Sequence, residues 1–208
     1  MGDVLRCRQL IADVYHRQYG VVFSEDHYDL DAKIEPWPHR YLMGLVDGQQ
    51  VAVAGLYVRN TYVERFGLVS DQDIAGSLRA AGVEGGYDPR NRREITKLVV
   101  VREFRNRGIT SLLMACALAR AFADLEADRA PLVTFCAVRT MRRLIERRGI
   151  RTRLIKPFPL YKIHEAYRSE SNPMDSYLII PDLDVPPSFR ELAIPGEYDV
   201  DSIAREVA

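Results

Sequence analysis

The sequence predicts a single-domain α/β protein of the α+β kind, in which a mixed, twisted sheet carries helices on both faces. Three observations lead there. An Asp47-Gly48 turn separates two apolar runs, Tyr41 to Val46 and Val51 to Val58, which marks an antiparallel hairpin. A strand-forming run, Ile95 to Val101, feeds through a polar turn into a long apolar pattern at helical spacing. That pattern leads to a second buried run, Pro131 to Ala137, so strands alternate with helices behind the hairpin and a mixed sheet is expected. Before both, residues 4–19 place Val4, Leu5, Ile11, Val14 and Tyr15 on roughly one face, an amphipathic helix ending near Gly20.

In chain order, the N-terminal helix is followed by an acidic loop, Ser24 to Asp31, and by a Pro36-Trp37-Pro38 breaker. The hairpin comes next. Residues 60–92 are harder to assign: Thr61 to Leu68 has strand character, Ser70 to Ala81 helical character, and Gly82 to Pro89 loop composition. After the strand at Ile95, a helix is expected over 107–126, then the buried strand 131–137, whose Leu132, Val133 and Phe135 are interrupted by no charge. Arg139 to Arg148 reads as a short basic helix closed by Gly149. Arg151 to Ile155 and Ser176 to Ile180 read as strands, with one helical turn near Ile163 to Arg168 between them. Prolines and acids dominate from Pro181 onward, with a short helix at 201–207. The expected division is therefore a core domain over 1–181 and a C-terminal extension over 182–208.

Composition narrows the function classes. Hydrophobic residues make up 47% and charged ones 28%, the balance of a globular protein with one full core. Formal net charge is zero, so no global field favours nucleic acid or an anionic membrane, and no nucleic-acid reader motif is present. Three scattered cysteines, Cys7, Cys116 and Cys136, suit neither a disulfide framework nor a zinc site, and the spacing of the four histidines suggests no metal. No apolar run approaches the ~20 residues of a membrane span, and the N-terminus has neither a signal-peptide core nor a myristoylation signal. No integral membrane role and a reduced cytoplasmic setting are expected.

The stretch Arg93 to Thr110 organises the chain. A strand enters an arginine-rich turn, Arg105-Asn106-Arg107-Gly108-Ile109-Thr110, from which a helix rises. A helix N-terminus offers N–H groups without intrahelical acceptors and the positive end of its dipole, and arginines add charge and forked donors; together they make an anion site.

That turn, with the following helix, buried strand, short basic helix and further strand, resembles the GNAT N-acyltransferase superfamily, over about 120 residues. The family's turn reads arginine or glutamine, two residues, glycine, one residue, glycine or alanine; here the last position is Thr110. The resemblance implies that the turn takes the phosphates of acyl-CoA, or of acyl-phosphopantetheine on an acyl carrier protein, and that the backbone of Leu98, Val99, Val100 and Val101 pairs with the pantetheine amides. A narrower resemblance, to the acyl-homoserine-lactone synthases and related N-acyl amino acid synthases, rests on Asp26-His27-Tyr28-Asp29 and on Glu94-Ile95-Thr96-Lys97. Lys97 stands where that branch carries arginine, and Val58 stands where it carries another, with Arg59 one position later. Tyr62 to Phe66, Glu94-Ile95 and Phe135-Cys136-Ala137 also look like thermostable-hemolysin-like members of the same fold.

These likenesses imply transfer of an acyl group to the primary amine of a small molecule such as an amino acid. An amine must be neutral to attack a thioester, so a carboxylate at Glu94 suits a base or an acceptor contact; its bland alternative is a salt bridge to Lys97 or Arg92. Asp26 and Asp29 suit a cationic acceptor, or else simple turn formation. Many relatives carry a general-acid tyrosine where this chain has Ile145. Cys136 reads as a core residue rather than a nucleophile. Arg139, Arg142 and Arg143 form either a solvated face or a dock for an acidic carrier protein. Two other functions remain open: a GNAT-shaped binding or sensory module without turnover, and an acyl-homoserine-lactone synthase proper.

Overall fold

The computed structural model describes residues 2–19, 37–58, 70–82, 92–123, 132–138, 142–143, 146, 152–158 and 174–179. The expected features at Asp26 and Asp29, the strand at 61–68, Arg139, Ile145, the turn at 163–168 and the extension 182–208 lie outside these residues.

The described elements are, in chain order, α1 (Gly2–Tyr19), β1 (Arg40–Val46), β2 (Gln49–Tyr57), α2 (Asp71–Ala80), β3 (Arg92–Val100), α3 (Ile109–Ala123), β4 (Leu132–Val138), β5 (Thr152–Phe158) and β6 (Met174–Ile179). They build one sheet in the order β1-β2-β3-β4-β6-β5. All neighbouring pairs are antiparallel except β3 with β4, which α3 joins as a parallel crossover. Asp47 and Gly48 both adopt positive φ, which the tight β1–β2 hairpin demands. β5 lies at the sheet edge, where Pro157 removes no ladder donor that a central strand would need.

The predicted helix over 70–81 forms as α2 with Ser70 as N-cap. The Ser70 side chain accepts from the Asp73 amide at 3.1 Å, and Asp73 accepts from the Ser70 amide at 2.8 Å, a reciprocal capping box. Arg142, Arg143 and Glu146 are helical, as expected for the basic segment.

Both faces of the sheet are covered, because two helices present different apolar sides. α3 is apolar almost all round and alanine-rich, so it approaches the sheet closely; Leu113, Leu118, Ala117 and Ala121 pack on Ala54, Leu56, Ile95 and Val100. On the opposite face, Cys7, Ile11 and Ala12 of α1 pack on Val53 and Val99, joined by Trp37, Tyr41 and Met43. On this second face, Gly55 makes room for the segment that precedes β1. A Cβ there would sit 2.3 Å from Cγ of Pro38, so the Trp37-Pro38 segment lies directly on the β2 backbone.

Candidate active site

β3 begins at Arg92, three residues before the expected start. Glu94 is consequently inside the strand rather than ahead of it, and it is 1% exposed. The polar entrance Arg92-Arg93-Glu94 hid the strand because two of its charged side chains are buried rather than solvated. Arg92, also 1% exposed, ion-pairs with Asp71 at the start of α2 at 2.7 Å.

Halfway along, β3 breaks its register. Val53 pairs with Val99 and Gly55 with Thr96, so Lys97 and Leu98 together oppose the single residue Ala54. This is a β-bulge, and its first residue, Lys97, has φ +51. The left-handed conformation is uncommon for a non-glycine residue, and such outliers concentrate at functional sites. The extra residue also re-aims the strand. Ile95 and Leu98 pack with the α3 face, whereas Lys97 and Val99 turn to the α1 face.

The neighbouring strand parts from β3 at the same level. The parallel ladder runs from Arg92↔Leu132 to Ile95↔Phe135 and stops there. Beyond it, β3 stays paired to β2 and β4 stays paired to β6, through Cys136↔Ser176, Ala137↔Asp175 and Val138↔Met174. The sheet is therefore split between the carboxyl halves of β3 and β4, which leaves facing main-chain edges with no strand partner among the described residues. Ligands in open α/β sheets bind at the carboxyl ends of strands, and this split opens at that end.

At its mouth lies the arginine turn. A short 3-10 turn, Arg102 to Phe104, follows β3, and Arg105 Nε donates to the Val100 carbonyl at 3.1 Å, tying the turn to the strand end. Asn106 and Gly108 take φ +64 and +76, and the Gly108 carbonyl accepts from the Leu112 amide at 3.0 Å, which starts α3. The helix thus begins two residues later than the expected 107. Its first turn, Ile109-Thr110-Ser111, carries no acidic residue, so nothing there competes with an incoming anion. Arg105, Asn106 and Arg107 are exposed; the Arg107 guanidinium lies over the Phe104 ring at 5.2 Å. Leu98 and Val101 are half-buried, Val99 and Val100 buried, and all four lie along or just past the split edge of β3.

On the α1 face, Lys97 is 5% exposed and its Nζ stands 4.9 Å from the centre of the Tyr15 ring. Burial pushes its pKa from 10.5 down to about 7. Glu94 is paired in register with Tyr57, so both point to the same side of the sheet. That side is identified by the Tyr57 ring, which meets His39 edge-on at 5.7 Å, and by Gly55, which lies under Pro38. Glu94 and Lys97 thus share one face, with the bulge as the reason. Tyr15, Trp37 and Tyr57, which no motif marks, also reach this face. Arg8 extends the surface, lying 5.3 Å over Trp37 and donating to the Tyr41 hydroxyl at 3.2 Å.

Arg142 pairs with Glu146 at 2.7 Å, Glu146 also accepts from Thr152 at 2.9 Å, and Arg143 is exposed. The Cys136 backbone lies on β4 at the split. Among the described residues there is no group of acids, histidines and cysteines able to hold a metal, and no helix long and apolar enough to cross a membrane.

Residues 8–150 match the family model of the acetyltransferase (GNAT) family. A search among curated proteins finds no match. Among solved structures, the chain is similar to the CoA-dependent acyl-homoserine lactone synthase BjaI in complex with SAM and isopentyl-CoA, at 16% identity and TM-score 0.54, covering 99% of this chain and 92% of that one. TofI, in a ternary complex with an inhibitor and MTA, is similar at 13% identity and TM-score 0.56, over 90% and 92%. The AHL synthase LasI follows at 12% identity and TM-score 0.53, over 96% and 93%. At these identities the likeness is one of fold.

Proposed function

Because the chain belongs to the GNAT acetyltransferase family, we propose that it moves an acyl group from acyl-CoA, or from acyl-phosphopantetheine on a carrier protein, to the primary amine of a small molecule such as an amino acid. The observation that carries this is the split between β3 and β4 opening onto the acid-free N-terminus of α3. A pantetheine arm carries two amides and a thioester at one end and phosphate at the other, and the split offers complementary groups in that order. Main-chain edges along Leu98 to Val101 receive the amides. The turn Arg105 to Thr110 receives phosphate through its amides and the arginine charges, and Gly108 permits close approach.

The reaction needs a neutral amine beside the thioester carbonyl. Attack forms the C–N bond, and the C–S bond breaks to release the thiolate. Glu94, buried on the α1 face next to the bulge, receives the acceptor's ammonium. Asp26 and Asp29 are proposed as further contacts for a cationic acceptor. Arg143, with Arg139 and Arg142 beside it in sequence, is proposed as the contact for an acidic carrier.

Incubation of the pure protein with acyl-CoA and acyl-carrier thioesters of several lengths and a panel of amino acids, followed by mass spectrometry, tests this. The panel includes S-adenosylmethionine, since SAM is bound in the BjaI complex. An N-acyl product supports the proposal. Thioester loss with no acylated amine would show a hydrolase, and no turnover at all would favour a binding module.

A further inference from the structure

Only four of the 29 basic residues are lysines, Lys33, Lys97, Lys156 and Lys162; at every other cationic position the chain uses arginine. One of the four occupies the bulge. Lys97 combines three features that a structural cation would not need together. It adopts a left-handed backbone conformation that disfavours side chains, it is almost wholly buried, and it stands on the strand edge where the sheet parts. A buried arginine at this position would keep its charge at any physiological pH, whereas a buried lysine can lose its proton.

We propose that Lys97 is the proton-transfer residue of the acyl transfer, taking a proton from the acceptor's ammonium and returning it to the leaving thiolate; this rests on the acyltransferase reading above. The bulge turns Lys97 onto the face that carries Glu94, with Val99 next to it, so the ammonium held by Glu94 has a neutral amine nearby. One ammonium proton passes to Nζ, leaving a neutral acceptor amine and a protonated lysine. The amine attacks the thioester carbonyl, and its second proton passes to the Glu94 carboxylate and on to water. The C–S bond then breaks, and the lysine proton goes to the thiolate sulfur. Ammonium and thioester yield amide, thiol and one released proton, with Lys97 neutral again. A single residue thus fills both the base role and the acid role that Ile145 leaves empty.

Burial pushes the Lys97 pKa to about 7, where an acid–base residue works best near neutral pH. The charged and titratable groups on its face, among the described residues, are Cys7, Arg8 and Tyr15 from α1, His39, Tyr41 from β1, Tyr57 from β2, Asp71 from α2 through its pair with Arg92, and Arg92 and Glu94 from β3 itself. Only His39 has an ordinary pKa in the same range.

Two measurements decide the matter. With four lysines, ¹³Cε-lysine NMR of the intact wild type gives four signals, and Lys97→Arg removes one of them. That signal is expected to titrate near pH 7, at least two pH units below the others; a midpoint with the other lysines would overturn the proposal whatever the activity. For turnover, kcat/KM for N-acylation is followed from pH 5.5 to 9. The wild type and His39→Gln should lose activity below pH 7, whereas Lys97→Met and Lys97→Arg should fall roughly 100-fold at pH 8 and lose the acidic limb. An unaltered limb in a folded Lys97 variant overturns the role of Lys97 and leaves acyl transfer standing. A wild type with no acyl transfer overturns both.

Discussion

Replacing Lys97 by methionine should change how stability depends on pH, and the size of that change follows from burial. In the folded protein the lysine pKa lies at about 7 against 10.5 when exposed, a gap worth about 5 kcal/mol between the two charge states. Between those values the unfolded chain holds the proton and the folded chain does not, so wild-type stability rises with pH, by at most about 1.4 kcal/mol per pH unit. Below pH 7 both states are protonated, and the folded protein carries the full cost of a buried charge. Integrated from pH 6 to 8.5, the lysine contributes a rise of about 2 kcal/mol. Cys7 and Cys116, whose thiols burial pushes up to about 11, act oppositely, because the unfolded thiols ionise first; their effect begins only near pH 9 and lies outside this range. Methionine fills nearly the same volume without a charge. Urea unfolding, followed by the fluorescence of the single tryptophan, Trp37, should show Lys97→Met more stable than wild type at pH 6, with the advantage shrinking by about 2 kcal/mol by pH 8.5. A difference between the two proteins that stays constant with pH would refute the burial argument for Lys97.

Three further outcomes are expected. Gly55→Val should lower stability by about 1–3 kcal/mol in urea unfolding, because Pro38 already occupies the space over this residue and the Trp37 segment must lift. Leu118→Ala, which empties a fully buried position where α3 meets the sheet, should cost about 2–5 kcal/mol and lower the thermal midpoint. Ser70→Ala removes one half of the capping box of α2 and should cost about 1 kcal/mol, measurable by the same unfolding experiment.

The hairpin and the helix α3 were legible because each rests on local chemistry: an Asp-Gly turn and an apolar run at helical spacing. The strand β3 was legible only from Ile95 onward. Its first three residues are charged, and nothing local distinguishes a solvated Arg92 from one buried against Asp71 of a separate helix. The anion turn was legible for the same local reason as the hairpin, since glycine at a helix start and flanking arginines stand together in sequence. The bulge was not. A single extra residue in β3 depends on which partner Gly55 and Val53 choose, and that choice sets the face on which Lys97 emerges. Regular strand geometry would set Glu94 and Lys97 on opposite sides, since they are three residues apart, and the bulge brings them to one face. The split between β3 and β4 likewise arises where two strands separate, and no residue type encodes a missing ladder.

Coenzyme A binding at the split tests the central claim most directly. Titration calorimetry of the intact protein with coenzyme A, paired with a crystal soaked in it, should show saturable binding, with the pyrophosphate on the amides of residues 106–111 and the pantetheine along Leu98 to Val101. Gly108→Glu, which places a carboxylate in the anion site at a φ of +76, should abolish that binding while leaving a folded protein by circular dichroism. Coenzyme A seated elsewhere, or bound equally by Gly108→Glu, would contradict the thioester cradle.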